Sequence, residues 1–188
     1  KRPDSYVGPV SQTTESYWVL TGENTFRKEN LTYSPGLLKI FDEILVNCVD
    51  RNSLHPKGVT SIAVSIESDS ITIENNGPLG GLSVVQQWRD NMTSPGKPKI
   101  TKHSGTTSSV SVTFTPDWKR FGMTNMSEAI AKIFQKRAWD ANICTSPNCK
   151  VKLNGETLPK QSFEAYCKMY GGVETVYSTT TERWSVCI

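Results

Sequence analysis

Residues 35–50 read PGLLKIFDEILVNCVD. The apolar side chains of this stretch recur with the period of an α-helix that packs one face against a core. Pro35 suits the first turn of such a helix, and Ser34 before it is a candidate N-cap. The sequence therefore predicts an amphipathic helix that begins at residue 35.

Three polar side chains lie along one stripe of this helix. Glu43, Asn47 and Asp50 stand at i, i+4 and i+7, a spacing that stacks side chains on one helical face. Two carboxylates and a carboxamide on one stripe could hold a divalent cation and activate a water, because hard cations prefer oxygen ligands. The alternative is that these residues, together with Asp42, form the solvated side of an ordinary amphipathic helix.

A second polar signal follows the helix in the sequence. The alternating run Ile71-Thr72-Ile73-Glu74 predicts a strand, which ends in Asn75-Asn76-Gly77. A glycine at this point lets the backbone turn or approach a ligand closely. A neighbouring Asn side chain can both donate to and accept from the edge of a heterocycle. Together, the two signals favour a binding site over a solvated helix face.

Composition limits the possible classes of protein. The chain has 188 residues, of which 36% are hydrophobic, enough for one medium domain or a domain and a half. No apolar run approaches the ~20 residues of a transmembrane helix, and no apolar segment follows the first residues, which argues against a secretory signal. The net charge of +3 permits non-specific affinity for nucleic acid without requiring it.

The five cysteines predict reduced thiols, because their number is odd and none belongs to a Cys-x-x-Cys pair. Only Cys144 and Cys149 lie close together in the sequence, and both are far from His55 and His103, which disfavours a zinc site. Cys48 lies inside the apolar helix and is expected to be a small core residue rather than a nucleophile.

The rest of the chain alternates between strand and helix patterns. Ser127 is a candidate N-cap for a helix that ends near Asn142, and residues 93–105, rich in Pro, Gly, Lys and Ser, predict a loop. After Pro147 the pattern changes, which predicts that a second unit begins there. The predicted strands are 59–67, 71–74, 84–89, 110–114 (half-buried), 173–177 and 183–188, with a turn at 154–155, a helix at 162–170 and a hairpin tip at 178–181.

Two further groups of residues allow more than one interpretation. Lys97, Lys99 and Lys102 form a basic cluster that either belongs to a solvated loop or contacts a phosphate backbone. Four tryptophans are expected to pack in a core or an interface rather than to stack on bases, because no basic residues are interleaved on the same face. They are Trp88, Trp118, Trp139 and Trp184.

Several segments, taken in order, resemble one known family. They are KRPDSYVG at 1–8, TYSPGL at 32–37, IFDEILVN at 40–47, IENNG at 73–77, QWRDNM at 87–92, VTFTPD at 112–117, KRAWD at 136–140, KLNGETLP at 152–159 and RWSVC at 183–187. Together they look like the N-terminal ATPase region of a eukaryotic-type type IIA DNA topoisomerase. The resemblance extends over nearly the whole chain.

This resemblance implies a fold. The family belongs to the GHKL ATPases, so it implies an α/β two-layer sandwich of the GHKL or Bergerat type, with a mixed sheet and helices on one face. The first part of an α+β transducer domain follows. The implied domains are a GHKL ATPase domain at 1–147, interrupted near 77–82, and the start of the transducer at 148–188.

The resemblance also implies a site for ATP and Mg²⁺. Glu43 would be the catalytic general base that deprotonates the attacking water, and Asn47 would be the side-chain ligand of the metal that bridges the phosphates. Asn76 would meet the adenine edge, and Gly77 would give the base room. Asp50 would lie on the ribose side or support the other residues. Such roles suit phosphoryl transfer, in which positioning and charge neutralisation dominate catalysis.

Two parts of the family pattern have no match in this sequence. The glycine-rich ATP lid is missing after Gly77, where the chain passes through Pro78-Leu79-Gly80-Gly81 almost directly into the QWRDNM segment. The chain also stops at Ile188, before the family's Gln-Thr-Lys loop, whose lysine reaches the γ-phosphate. Without both parts, weak nucleotide binding and poor hydrolysis are expected.

In the family, ATP binding brings two such modules together as a gate, and ATP hydrolysis resets the gate. During this cycle double-stranded DNA passes through the enzyme, and this passage relaxes or decatenates DNA. The implied partners are ATP, a second copy of the chain and, through the full-length enzyme, double-stranded DNA, with no membrane. The implied location is the nucleus, with an organelle or a cytoplasmic viral replication site as alternatives. The competing hypotheses are a MutL-like or chaperone-like GHKL ATPase, which would not carry KRPDSYVG and QWRDNM, and a non-catalytic interaction domain.

Overall fold

The structure, a computed structural model, describes residues 4–22, 24–77, 82–105, 108–171, 176–181 and 184–188. Its helices are α1 (Asp4–Val7), α2 (Pro35–Leu54), the 3-10 helix η1 (Trp118–Phe121), α3 (Glu128–Cys144) and α4 (Phe163–Lys168). Its strands are β1 (Thr13–Leu20), β2 (Phe26–Tyr33), β3 (Ser61–Ile66), β4 (Ile71–Gly77), β5 (Leu82–Val85), β6 (Trp88–Arg89), β7 (Ser94–Pro95), β8 (Lys99–Lys102), β9 (Ser108–Phe114), β10 (Lys150–Leu153), β11 (Glu156–Thr157), β12 (Tyr177–Thr181) and β13 (Trp184–Cys187). Among these residues, no helix combines the length and the apolar character needed to cross a membrane.

A five-stranded mixed sheet forms the centre of the molecule. Its strand order is β11-β10-β3-β4-β9, in which β10 runs parallel to β3 and every other neighbouring pair is antiparallel. Helices α2 and α3 contribute to the core that covers it, with the rings of Phe41 and Phe134 stacked at a centroid distance of 4.1 Å. The predicted two-layer α/β sandwich with a mixed sheet is therefore confirmed.

Helix α2 begins where the sequence predicts. Ser34 has an extended backbone, and its hydroxyl accepts a hydrogen bond from the Leu37 N–H at 3.5 Å, so it is the N-cap. The same hydroxyl donates to the Val10 carbonyl at 3.0 Å. A Cβ at Gly36 would lie 3.0 Å from the Pro9 carbonyl oxygen, so the glycine allows the N-terminal segment to approach the first turn closely.

The hairpin of β1 and β2 packs against α3 and α4 rather than joining the central sheet. Val19 and Phe26 are its buried anchors. The Phe26 ring meets Trp139 of α3 edge-on at 6.4 Å and Tyr166 of α4 at 5.5 Å, geometries that aromatic pairs prefer. Trp139 is thus a core residue, as predicted.

A chain of charged and hydroxyl groups joins three helices at the edge of this core. The Arg137 guanidinium on α3 lies 2.8 Å from Asp42 on α2 and 3.0 Å from Asp140. Burial disfavours this cation, but the two carboxylates raise the pKa of Arg137 above its ordinary value. The buried Lys136 ammonium lies 2.5 Å from Asp140 and donates to the Tyr166 hydroxyl of α4 at 2.9 Å. These contacts fix α2 against α3 and α4.

Several sequence predictions fail in the second half of the chain. The predicted loop at 93–105 is wrong, because β7 and β8 lie within it and pair with β6 and β5. The predicted strand at 84–89 is divided between β5 and β6. The hairpin tip predicted at 178–181 is wrong, because these residues belong to β12, and most of the strand predicted at 173–177 lies outside the described residues.

Exposure also differs from expectation at some apolar positions. Val112 pairs with the buried Ile73 and therefore faces the same side of the sheet, yet Val110 and Val112 are 56% and 38% exposed because β9 is an edge strand. Trp88 and Trp184 are 48% and 69% exposed, so neither belongs to the core, and their packing in an interface stays a prediction.

The division into domains at 1–147 and 148–188 stays a prediction. The first two strands after residue 147, β10 and β11, nevertheless belong to the central sheet, since β10 pairs with β3 from Lys150 opposite Ser61 to Leu153 opposite Val64. Asn154 and Gly155 have φ angles of 50° and 89°, which makes the tight turn between β10 and β11 that the sequence predicts. The sheet of the first unit thus continues to residue 157.

We expect Asn52→Ala to lower the free energy of unfolding by about 2–4 kcal/mol, measured by urea denaturation. The buried Asn52 amide donates to the Val59 carbonyl at 2.7 Å and to the Ser146 hydroxyl at 3.0 Å, and its oxygen accepts from the Ser146 N–H at 2.8 Å. Alanine would leave these partners unsatisfied. The neighbouring Ser53→Ala, at an exposed position, is the control and should change stability by less than about 0.5 kcal/mol. If Asn52→Ala lowers the free energy of unfolding by less than about 1 kcal/mol, these hydrogen bonds do not stabilise the fold as expected.

Candidate functional site

The end of β4 and the middle of α2 meet at Asn75. This side chain is 4% exposed, and its oxygen accepts a hydrogen bond from the Cys48 thiol at 3.3 Å. Burial raises the pKa of Cys48 to about 11, so the sulfur keeps its proton and acts as the donor. The Asn75 amide donates to the Asn76 carbonyl at 2.8 Å. The strand end therefore lies against the buried face of α2, at Cys48.

Asn76 has a different environment from the one the sequence predicted. Its oxygen accepts from the N–H groups of Thr60 and Ser61, both at 2.8 Å, and its amide donates to the Thr60 hydroxyl at 2.9 Å. Both lone pairs of the oxygen are thus used by backbone donors. The assignment of Asn76 to the adenine edge is not supported, because its side chain braces the start of β3 against the end of β4.

Sequence reasoning missed Asn75, although a signal was present. Side chains alternate between the two faces of a strand, so Asn75 shares the face of Ile71 and Ile73 and Asn76 does not. Ile71, Ile73 and Asn75 are all buried. Extending the period of two through the strand would have assigned Asn75, and not Asn76, to the side that meets α2.

The stripe on α2 faces solvent beyond this contact. The Glu43 side chain is 40% exposed, and Asn47 and Asp50 are exposed. The Lys39 ammonium, one turn before Glu43, lies 2.5 Å from the Glu43 carboxylate, and its hydrogen bond to Glu43 raises the pKa of Lys39. Lys39 was not predicted as a site residue, although its i−4 position relative to Glu43 could have indicated it.

Gly77 lies where β4 ends. A Cβ built at Gly77 would lie 3.8 Å from the Asn75 amide and from Val59, and 4.0 Å from the Arg51 side chain, which are ordinary van der Waals contacts. The Asn75 amide and the Arg51 guanidinium are thus both close to this end of β4. Arg51 follows Asn47 by four residues and adds a cation to this end of the stripe.

No protein-family model matches the chain. It is 29% identical to chicken DNA topoisomerase 2-beta over 262 residues, which cover the whole chain and 16% of that protein. It is 31% identical to DNA topoisomerase 2 of Penicillium chrysogenum over 234 residues, or 90% of the chain and 14% of that protein. The chain thus spans about a sixth of the length of the curated relatives it matches. Since the chain has 188 residues, the chicken relative carries residues with no counterpart here.

Solved structures of type II DNA topoisomerases also match nearly the whole chain. The ATPase region of Saccharomyces cerevisiae topoisomerase II matches 99% of the chain with a TM-score of 0.91 and 26% identity, and the match covers 66% of that structure. The ATPase and transducer domains of DNA topoisomerase II from Balamuthia mandrillaris match 99% of the chain with a TM-score of 0.89 and 27% identity, over 64% of that structure. Sequence and fold agree, and the chain belongs to the eukaryotic-type type IIA DNA topoisomerases, within their ATPase region.

Proposed function

We propose that this chain is the ATP-binding and ATP-hydrolysing module of a type IIA DNA topoisomerase. The observation that carries the proposal is the contact between Cys48 on α2 and Asn75 on β4, which fixes a buried carboxamide against the helix whose other face carries the polar stripe. The matched structures are described as ATPase regions. These matches favour this function over a MutL-like or chaperone-like ATPase and over a non-catalytic interaction domain.

Asn75, rather than Asn76, is the residue that recognises the adenine base in this proposal. The Cys48 thiol is a weak donor, and the Asn75 amide uses one of its two N–H groups on the Asn76 carbonyl. One N–H and one lone pair of Asn75 therefore stay available for the edge of a heterocycle. The base would lie beside Gly77, which has no side chain to come between it and Asn75.

The α2 stripe would carry the triphosphate chemistry. Glu43 has one carboxylate oxygen held by Lys39, and its other oxygen can accept the proton of the attacking water. Asp50 and Arg51, further along the helix, would contact the ribose or support the other groups.

The donor set also fits Mg²⁺. Among the described residues, no group of three or more His, Cys, Asp or Glu could form a metal cage by itself. Mg²⁺ is usually held by one or two protein oxygens together with substrate phosphates and waters, and the exposed Asn47 carboxamide suits this arrangement. When bound, the metal neutralises charge that develops on the phosphates.

The wider activity belongs to the same proposal. ATP binding would join two copies of the module as a gate, and hydrolysis would reset it during passage of double-stranded DNA. A nuclear location is part of the proposal, with an organelle or a cytoplasmic viral replication site as alternatives. The absent lid segment implies that the chain alone binds nucleotide weakly, so its binding should be measured at high ligand concentration.

We expect Asn75→Leu to weaken ATP binding by about 1–3 kcal/mol, or roughly 5- to 150-fold, because the base would lose its polar partner. Binding of inorganic triphosphate should not change. Isothermal titration calorimetry with both ligands measures the two effects.

The matched comparison is Asn76→Leu, which should lower the free energy of unfolding, since it removes the brace to Thr60 and Ser61. Its affinity for ATP relative to triphosphate should stay close to that of the parent chain. A selective loss of ATP affinity in Asn76→Leu, with none in Asn75→Leu, would return the base-recognition role to Asn76.

We expect Asn47→Ala to weaken Mg²⁺-dependent ATP binding more than metal-free adenosine binding. The Asn47 oxygen would contact the cation and not the base. Calorimetric titrations with and without Mg²⁺ check this, with the exposed Ser53→Ala as control. Equal losses for both ligands would mean that Asn47 has only a structural role.

We expect Glu43→Gln to keep nucleotide binding and to lower the hydrolysis rate by roughly 10²–10⁴, because an amide cannot take the proton of water. The test uses a chain extended with the lid and lysine loop of a relative, followed by phosphate release at saturating Mg²⁺-ATP. The exposed Glu67→Gln is the matched control. Unchanged turnover in Glu43→Gln would remove this residue from the mechanism.

A further inference from the structure

Residues 82–102, between β4 and β9, do not join the central sheet. β5 pairs with β8 and β6 pairs with β7, in two-stranded sheets of their own. Every residue from 87 to 102 is exposed. We call residues 82–102 the ribbon. Its length and exposure make it a surface that could meet a partner without any change in the core.

The ribbon carries a charge equal to the net charge of the whole chain. It contains Arg89, Lys97, Lys99 and Lys102 against the single acidic residue Asp90, a balance of +3. The chain has 21 Lys and Arg and 18 Asp and Glu, which also gives +3. The remaining 17 cations are therefore matched by 17 anions. Such concentration of one sign on the ribbon indicates a partner of the opposite sign.

Among the described residues, the four ribbon cations, like Lys57, Lys119, Lys150 and Lys152, lack the internal ion pairs that some other cations make. Lys39, Lys132, Lys136 and Arg137 each lie within 4.0 Å of a carboxylate. Within the described part of the chain, Arg89 and the three ribbon lysines have no ion-pair partner. Their charges are available to an external anion and would not first have to leave an internal one.

The register of the ribbon distributes these cations over both of its faces. Lys102 stands opposite Leu82, and Lys99 stands opposite Val85. Because successive side chains alternate between faces, Lys99 and Lys102 point to opposite sides. The flexible four-carbon side chains of the lysines can reach a phosphate backbone from either face.

The turn at the tip of the ribbon has an unusual backbone. Asp90, Asn91 and Met92 have φ angles of 53°, 53° and 65°, three consecutive left-handed residues that are not glycine. The turn is held because Thr93 donates to the Asp90 carbonyl at 3.1 Å through N–H and at 2.6 Å through its hydroxyl, and Asn91 donates to Asp117 at 3.0 Å. Strain of this kind is concentrated at functional sites.

We propose that the ribbon binds duplex DNA, with Arg89, Lys97, Lys99 and Lys102 as contacts to its phosphate backbone. Contacts of this kind position a protein without reading sequence, so the binding should be non-specific and strongly dependent on salt. This surface needs no nucleotide for its function. Its test therefore contains none, and it can fail or succeed independently of the ATP site.

The test is fluorescence anisotropy of a labelled duplex of ~20 base pairs with the full chain, titrated at several salt concentrations. In the variant with Arg89, Lys97, Lys99 and Lys102 all changed to Gln, affinity at ~50 mM salt should fall at least tenfold. The slope of log K against log salt should become shallower by about three to four, since each phosphate contact contributes about 0.9. A parent chain that does not bind the duplex at low salt would overturn the proposal.

The matched control changes four other exposed lysines to Gln: Lys57, Lys119, Lys150 and Lys152. Both variants have the same net charge, so a difference between them reports position and not overall charge. The control should lose less than about threefold in affinity. An equal loss of DNA affinity in both variants would overturn the proposal. So would a ribbon variant that still binds DNA but no longer self-associates in sedimentation velocity. That result would mean that the partner of the ribbon is a second copy of the chain.

A second measurement uses only the parent chain and does not depend on how the variants fold. Lysines are acetylated with a water-soluble reagent with and without duplex DNA, and the modified sites are quantified by mass spectrometry. Lys97, Lys99 and Lys102 should be protected severalfold by DNA, whereas Lys57 and Lys119 should not. Equal protection of both sets, or none, contradicts binding through the ribbon.

Discussion

The orientation of α2 on the central sheet is the constraint on which the rest of the structure depends. Five residues at helical spacing face the interior, and burying them fixes the rotation of the helix. They are Leu37, Phe41, Leu45, Cys48 and Asn52. Once this rotation is set, Glu43 and Asn47 must point outward on the other side, and Cys48 must meet the end of β4. The positions of the site residues thus follow from the packing of α2. The ion pair between Asp42 on α2 and Arg137 on α3 also helps to hold the helix in this orientation.

Much of this arrangement could be predicted from the sequence, because it depends on local periodicity. The start of α2, its N-cap at Ser34, the hairpin of β3 and β4, and the turn at Asn154 and Gly155 all follow from short-range rules about capping, alternation and turn residues. The family followed from motifs in order, and the comparisons agree with it. Composition could not separate Asn75 from Asn76, because both are asparagines and only their phase in the strand distinguishes them.

What the sequence could not provide concerns contacts between distant segments. The composition of residues 93–105 is typical of a loop, yet β8 pairs with β5 because a complementary strand lies across the turn. Nothing local indicates that β10 will join β3 in parallel, since the two are separated by the whole of β4, the ribbon, β9 and α3. Exposure of Val110 and Val112 likewise depends on which strand ends up at the edge of the sheet.

The register between β4 and β9 has a consequence for the history of this chain. Gly77 is paired directly with Ser108, so the polypeptide leaves the sheet and returns to it at adjacent positions. A segment inserted or removed between these two points leaves the strand pairing unchanged and alters only the entropy of closing the excursion, by about 0.6 kcal/mol for each doubling of its length. The segment between Gly77 and Ser108 can therefore be longer in relatives than in this chain. Evolution can lengthen, shorten or replace this segment while the hydrophobic core stays the same.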